Sequence, residues 1–543
     1  MTPTLRASLA WCLTILTVLP GCSKRESAVE SGRRDQVLHW GNLGEPADLD
    51  PHTVTSQQDF NIVMALFEGL TSYDPQDLHP IPGVAQKWES TADGLTWTFH
   101  LRNTARWSNG DPLTADDFIY AFHRMLSPAL GAEYGYMLHH LRNAQEFQRG
   151  KLTDFAQVGA KAADDHTLVL RLAHPVPYLA ALVSHSSWYP VHRATIEKFG
   201  KIDTRGSAWT RPGNLVGNGG FTLAEWRPNR VIRLTKSAHY WDRDTIRLTA
   251  VNFYPIENES TEEAAFRSGQ LHVTAQVPIE KIADYKKDPA RLLQQGVMLG
   301  TYYYKFNVTK PPLNDSRVRR ALAMSIDRPT IVQRVAKGDQ IPAGHLTPPN
   351  IGGFTARAEM PHDIPAAQKL LADAGYPGGK GFPKVELLYN TTEGHRKIAE
   401  AIQQMWRKNL GIDIGLYNQE AKVWSDSMRQ MNYQIARYAW IGDYLDPSTF
   451  LDLMAKGNGN NQTGWSNAEY DRLIELARTT ADNSKRFEYF QRCEEILVDE
   501  APFAPIYFYQ RNYLKRPEVK GWHSNLLDIH PLKGVYLEAA AAR

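Results

Sequence analysis

Residues 385–416 read VELLYNTTEGHRKIAEAIQQMWRKNLGIDIGL, and this stretch decides the fold class. Residues 385–389 form an apolar run of strand length. Ile398, Ile402, Met405 and Trp406 then recur at the spacing of one helix face, until Gly411 supplies a helix stop. A second strand-like run follows at 412–416. Strand, helix and strand in this order predict a βαβ unit, in which two parallel strands are joined by a right-handed crossover. The chain is therefore expected to be α/β. His395 falls at the start of the helix, just past the first strand, and the carboxyl ends of parallel strands are where α/β folds usually keep ligands.

Downstream, residues 437–450 read RYAWIGDYLDPSTF. A strand-like run at 433–441 carries Arg437 and Trp440 and is followed by Asp443. A carboxylate set among apolar and aromatic residues needs a cation or several donors, because burying it bare costs many kcal/mol. If this strand joins the sheet of the βαβ unit, Asp443 and His395 face one crevice.

The N-terminus points out of the cytoplasm. Arg6 precedes an apolar run at 7–19, and Leu19-Pro20-Gly21-Cys22 is followed by a polar stretch. The run is too short for a membrane-crossing helix, which needs about 20 apolar residues, and reads as a signal peptide over 1–21. The small residue before Cys22 resembles a lipobox, with Cys22 as the acylated first residue of the mature chain. Residues 22–36 read as a lipid-anchored flexible tether. Removing residues 1–21 takes away Arg6 alone, so a formal charge of +2 becomes +1. That balance offers nothing to nucleic acid or to an acidic membrane surface. Cys493 is then the one cysteine besides Cys22, in a helical pattern, and reads as a packed thiol.

Other segments are structural in character. Thr114 and Asp117 suit a helix cap ahead of Phe118, Phe122 and Met125, and Asn314 suits one ahead of Val318, Leu322 and Ile326. Trp97, Phe99 and Leu101 alternate as a half-buried strand. The sequence contains no G-x-S-x-G, H-E-x-x-H, C-x-x-C or P-loop pattern. His139-His140 lacks further ligands at metal spacing.

Seven blocks carry a resemblance: LDPH (49–52), LFEGL (66–70), PGVAQKWE (82–89), GLTWTFHLRNTARWSNGDPLTADDFIYAFHR (94–124), NGGF (218–221), TYYYKFN (301–307) and RYAWIGDYLDPSTF (437–450). In order and in content they resemble the solute-binding proteins of peptide ABC importers, extracellular family 5, and its oligopeptide-binding branch most. The resemblance implies a periplasmic-binding-protein-like fold (type II, cluster C), with two lobes closing on a ligand and three domains linked by crossover hinge segments. Domain I would comprise 37–67, 195–299 and 511–543, domain II 68–194, and domain III 300–510.

The implied function is capture of short peptides outside the cytoplasm and delivery to an ABC permease with its ATPase subunits. The protein would act as a monomer, with neither enzymatic chemistry nor a cofactor. Asp443 matches the family position that pairs with a peptide's α-ammonium, and Arg437 and His395 match positions that meet its C-terminal carboxylate. Tyr134, Tyr303 and Tyr509 match aromatic ligand contacts, and Trp440 walls a side-chain pocket. Thr55, Ser56 and Gln57 match an extended segment that bonds the peptide backbone as an added strand would. The chain departs from the pattern at Ala421, Met428, Ala336 and Lys305, which replace a tryptophan, an arginine, a lysine and a glutamate. Gly300 and Ile441 replace two cysteines that bridge in the relative. These changes keep a murein peptide, dipeptide, metal chelate or haem open as ligand, and an exported peptidase, sensor or holdase remains the alternative of another class.

Overall fold

The computed structural model describes residues 26–419 and 421–539, so the signal peptide expected over 1–21 and the lipidated Cys22 lie outside the described residues. The expected tether over 22–36 is corrected from Ala28 onward. Ala28–Asp35 is a helix, α1, because Ser27 and Glu30 form a reciprocal capping box that satisfies the first free N–H groups. The Val29 N–H donates to Gly269 O, and the Arg33 side chain reaches the carbonyls of Glu538 and Ala539, which ties the helix to the body.

Two four-stranded sheets come from the first half of the chain. In the first, β1 (Val37–Gly41) lies parallel to β8 (Ala250–Tyr254), which continues antiparallel into β7 (Val231–Lys236) and β6 (Phe221–Arg227). Helix α2 (Gln57–Leu66) packs against β6. The second is antiparallel, in the order β2 (Ala85–Ser90), β3 (Thr96–Leu101), β5 (Thr167–Arg171) and β4 (Ala160–Asp164). Trp97, Phe99 and Leu101 of β3 all point inward, as their alternation predicts. Helix α3 (Ala115–Met125) follows, with the Asp117 carboxylate accepting from the Thr114 N–H at 2.8 Å. Asp50 and Arg124, from the first and fourth of the blocks quoted above, meet in a fully buried two-point ion pair.

The second half builds one six-stranded sheet. A short edge at Ile341–Pro342 is followed by β13 (Phe503–Leu514), β9 (Leu293–Phe306), β12 (Ile435–Ile441), β10 (Val385–Asn390) and β11 (Ile414–Gln419). The βαβ reading holds: β10 and β11 are parallel, and α5 (Glu393–Leu410) joins them, capped by Thr392 and ended by Gly411 in the left-handed conformation that glycine favours. The second strand starts two residues later than its apolar pattern suggests. β12 is parallel to β10, so Asp443 and His395 both lie beyond carboxyl ends of neighbouring strands. Helix α4 (Ser316–Met324) is capped by Asp315 and not by Asn314, because the Asp315 carboxylate takes the Arg317 N–H at 2.9 Å. Ile326 consequently lies past the helix end.

The buried apolar residues fall into two masses. One unites 38–273 with 513–537 and is extended by Val277, Ile282 and Leu514, and the other, made of the remaining clusters, lies within 299–507. The antiparallel pair β9 and β13 runs from one mass to the other, from Leu293↔Leu514 to Lys305↔Phe503, and its register slips between Val297 and Thr301. Cys493, on helix α6 (Asn483–Glu500), is buried and free.

Candidate functional site

Two clusters stand on or beyond β12, and the first lies where residues of both masses line one cavity. The first surrounds Asp443. Its N–H donates to Thr449 Oγ1 at 3.1 Å, and the Gly442 N–H to Leu299 O at 2.7 Å, so the backbone turns inward just past the strand. Among the described residues no Lys, Arg or His forms an ion pair with the carboxylate. Burial pushes its carboxyl up to about 6, and the nearby Tyr136 hydroxyl offsets this only in part. Tyr134 is pushed up to about 12, mainly by burial and then by the nearby Asp443 charge. Asp443, Trp440, Tyr134, Thr55 and Gln57 line one cavity of about 520 Å³, floored by Leu299 and Ile441. The Trp440 indole N–H is buried without an acceptor.

Thr55 is exposed at this cavity, while Ser56 and Gln57 serve helix α2. Ser56 is its N-cap residue, with its hydroxyl on Asp59 Oδ2, and Gln57 is its first residue, with its amide on Asn61 Oδ1 and Asp528 O. The expected extended segment is thus cut short at Ser56, because Asp59 in the first turn favours helix there.

The second cluster surrounds Arg437. Its Nη1 donates to Asn390 Oδ1 at 3.2 Å and its Nη2 to the Tyr509 hydroxyl at 3.0 Å, and its guanidinium lies 4.6 Å over the Tyr302 ring. Its Nε is buried without an acceptor, and no Asp or Glu among the described residues pairs with it. His395 Nδ1 is 3.2 Å from the Tyr302 hydroxyl. Burial and the Arg437 charge hold His395 down near 4, so its ring is neutral at pH 7.

Tyr303 belongs to neither cluster. Cross-strand pairing sets Tyr303 opposite Tyr438 and Tyr302 opposite Ala439, so the two tyrosines point to opposite faces of β9. Tyr303 is 1% exposed, packed on Tyr438 and Phe503, while Tyr302, 0% exposed, lies on the face that carries Arg437 and His395. Tyr136, Tyr302 and Asn390 are residues that sequence reading missed. The signal for Tyr302 lay in its neighbour: three consecutive tyrosines on a strand cannot share a face. Tyr136 is brought beside Tyr134, ring centroids 6.1 Å apart, by an unforeseen 3₁₀ helix over Glu133–His140.

The departures resolve individually. Gly300 and Ile441 are opposed across β9 and β12, and a Cβ on Gly300 would lie 2.4 Å from Ile441 Cδ1, so a larger residue at 300 would make the exposed Ile441 side chain turn away. Lys305 is buried on the Tyr303 face, with Nζ on Asn460 O at 2.7 Å and Gln462 Oε1 at 3.1 Å, beneath the Tyr438 ring. Met428 is buried, and the side chain of Ala421 lies outside the described residues.

Residues 79–462 match the family described as bacterial extracellular solute-binding proteins, family 5 Middle. The chain is 36% identical over 539 residues to the periplasmic oligopeptide-binding protein OppA of Salmonella typhimurium, covering 96% of each. Among solved structures it resembles the unliganded open form of the periplasmic murein tripeptide binding protein MppA, with TM-score 0.81, 36% identity and 93% of this chain covering 97% of that one. It also resembles Haemophilus influenzae OppA in complex with RPPGFSPFR, with TM-score 0.73 and 35% identity over 93% of this chain and 99% of that one. The fold class expected from the sequence is therefore correct, and the chain belongs to the bacterial extracellular solute-binding proteins of family 5.

Proposed function

We propose that the protein captures short peptides outside the cytoplasm and delivers them to an ABC importer. One observation carries the reading: among the described residues, β12 and the loop beyond it hold a carboxylate without a cation, Asp443, and a guanidinium without a carboxylate, Arg437. Six residue steps along an extended strand span at most about 20 Å, so the two charges suit the ends of a short extended zwitterion. The ammonium of such a ligand pairs with Asp443. Its carboxylate meets Arg437, which can grip it with two hydrogen bonds, beside His395, Tyr302 and Tyr509. Thr55, Gln57, Tyr134 and Trp440 enclose the first residues.

Binding of this kind needs no covalent step, and the groups around Asp443 and Arg437 serve recognition. Closure of the two lobes about the register slip at 297–301 removes the paired charges from water, and the permease recognises the closed form because ligand favours it. The names of relatives, oligopeptide-binding and murein tripeptide binding proteins, support this reading. Domains I, II and III then correspond to the intervals implied by the resemblance, and Cys22 carries the lipid anchor. No described helix is long and apolar enough to cross a membrane. Native mass spectrometry of the purified protein, followed by denaturation, tests the function: released peptides are expected, and a single non-peptide species, or turnover of added peptides, would overturn it. Metabolic labelling with palmitate should mark the native chain and fail for Cys22→Ala.

A further inference from the structure

A second cavity, of about 690 Å³, opens on the other side of Asp443 and shares Asp443 and Trp440 with the first. Its walls come from both masses: Tyr136, His140, His174 and Tyr178 on one side, Asp452, Arg478 and Arg486 on the other. The charges on those walls do not cancel. Arg486 is committed to Asp446, donating to both carboxylate oxygens at 2.9 and 3.0 Å. Arg478 is divided between Glu475, at 3.1 Å, and Asp452, at 3.6 Å, and its side chain is 41% accessible. An exposed, shared guanidinium at that range contributes little. Asp452 has no closer cation, and a third of its side chain is open although it sits deep between the two masses, so that open surface is cavity wall. After these pairs are set against each other, two carboxylates remain for one enclosed space, Asp443 and Asp452.

The imidazoles do not oppose a cation there. Burial lowers His140 to about 3 and also lowers His139 and His174, so all three are neutral at pH 7. The His140 Nδ1 is buried without a partner. Burial likewise pushes Asp452 up to about 6, against the pull of Arg478, as expected for a carboxylate whose counter-charge is incomplete.

Resting on the peptide-binding reading above, we infer that this cavity receives the side chain of the ligand's first residue and selects a basic one, with Asp452 as its counter-charge. The α-ammonium satisfies Asp443 and the side-chain ammonium or guanidinium satisfies Asp452, so a peptide beginning with lysine or arginine supplies both missing cations. A neutral first residue leaves Asp452 as it is. An acidic one sets a third carboxylate in the same space.

Calorimetry with four tripeptides tests this: Lys-Ala-Ala, norleucine-Ala-Ala, Ala-Ala-Ala and Glu-Ala-Ala. The native protein should bind the lysine peptide at least ~10-fold more tightly than its norleucine counterpart, which has a neutral chain of similar length, and the glutamate peptide most weakly. Asp452→Asn should bring the lysine to norleucine ratio to about one and leave Ala-Ala-Ala within about twofold. Arg478→Gln, which removes the competing cation from a partly exposed position, should raise that ratio. Equal binding of the lysine and norleucine peptides by the native protein, an unchanged ratio in Asp452→Asn, or a lowered one in Arg478→Gln overturns the assignment. If Ala-Ala-Ala binds without a lysine preference, only this inference fails. If no tripeptide binds, the peptide-binding reading fails with it.

Discussion

Asp443 and Asp446 share one loop beyond β12 and meet burial in opposite ways. Asp446 receives both Arg486 nitrogens and also the Ser448 N–H and hydroxyl, at 2.7 to 3.1 Å. Its side chain and that of Arg486 are 5% and 2% exposed. The Asp443 carboxylate has no such set of donors, and burial drives it toward neutrality. The difference teaches which carboxylate the fold needs and which it merely holds. A closed set of donors marks a structural charge, whereas an open set at a cavity wall marks a charge kept for something outside the chain.

The largest effect expected from breaking this contrast is on stability. Arg486→Met leaves Asp446 buried and unpaired, and such a change typically costs about 3–5 kcal/mol. Denaturant unfolding should register that loss. Asp443→Asn should show none, since it removes a charge that the unliganded fold does not satisfy. Equal losses in the two variants would erase the distinction. Binding should behave in reverse: Asp443→Asn is expected to weaken free-amine peptides by about 2 kcal/mol or more, roughly 30-fold, and to leave N-acetylated ones little changed. Calorimetry on matched free and acetylated peptides measures this, and a loss common to both would remove Asp443 from its role.

Acid should sharpen the same contrast with a smaller change. The Asp443 carboxyl is raised above its unfolded value of 3.8, so the folded, unliganded protein holds this proton more tightly than the unfolded chain. Its contribution to stability is therefore fully present below the unfolded value and is lost as pH rises through about 6. Ligand binding has the opposite sense, because an ammonium pairs only with the ionised form. Affinity should fall by up to about tenfold per pH unit as pH drops below the Asp443 value, and binding at that pH should release a proton. Asp443→Asn should flatten the profile. A flat profile in the native protein would show that the ionised carboxylate is not what the ligand meets.

The sequence carried the elements better than the contacts. The βαβ unit was legible because apolar residues at 3.6-residue spacing stand between two apolar runs, with Thr392 and Gly411 at the helix ends. Asp443 and Arg437 were legible because charges within an aromatic strand need partners. Which of Asp443 and Asp446 lacks one was not, since Arg486 lies far along the chain on another helix. The helix at Ala28–Asp35 was missed because its cap is two polar residues within a stretch of disordered-looking composition. Tyr136 was missed because a 3₁₀ turn, unlike an α-helix or a strand, leaves little periodicity to read.

Tyr302 and Tyr303 offer the finest version of the comparison, and the smallest expected effect. Both rings are buried, yet only the Tyr302 hydroxyl touches the His395 ring, and only its face carries the Arg437 guanidinium. Tyr302→Phe keeps the ring under Arg437 and removes one neutral hydrogen bond, worth about 0.5–1.5 kcal/mol, so peptide affinity should fall roughly two- to tenfold. The loss should vanish for C-terminally amidated peptides, because the hydroxyl acts through groups that meet the carboxylate. Tyr303→Phe, on the opposite face, should leave both peptide series unchanged. Should Tyr303→Phe be the variant that weakens binding, the cross-strand register of β9 against β12 would no longer explain which tyrosine supports the group that meets the ligand's carboxylate.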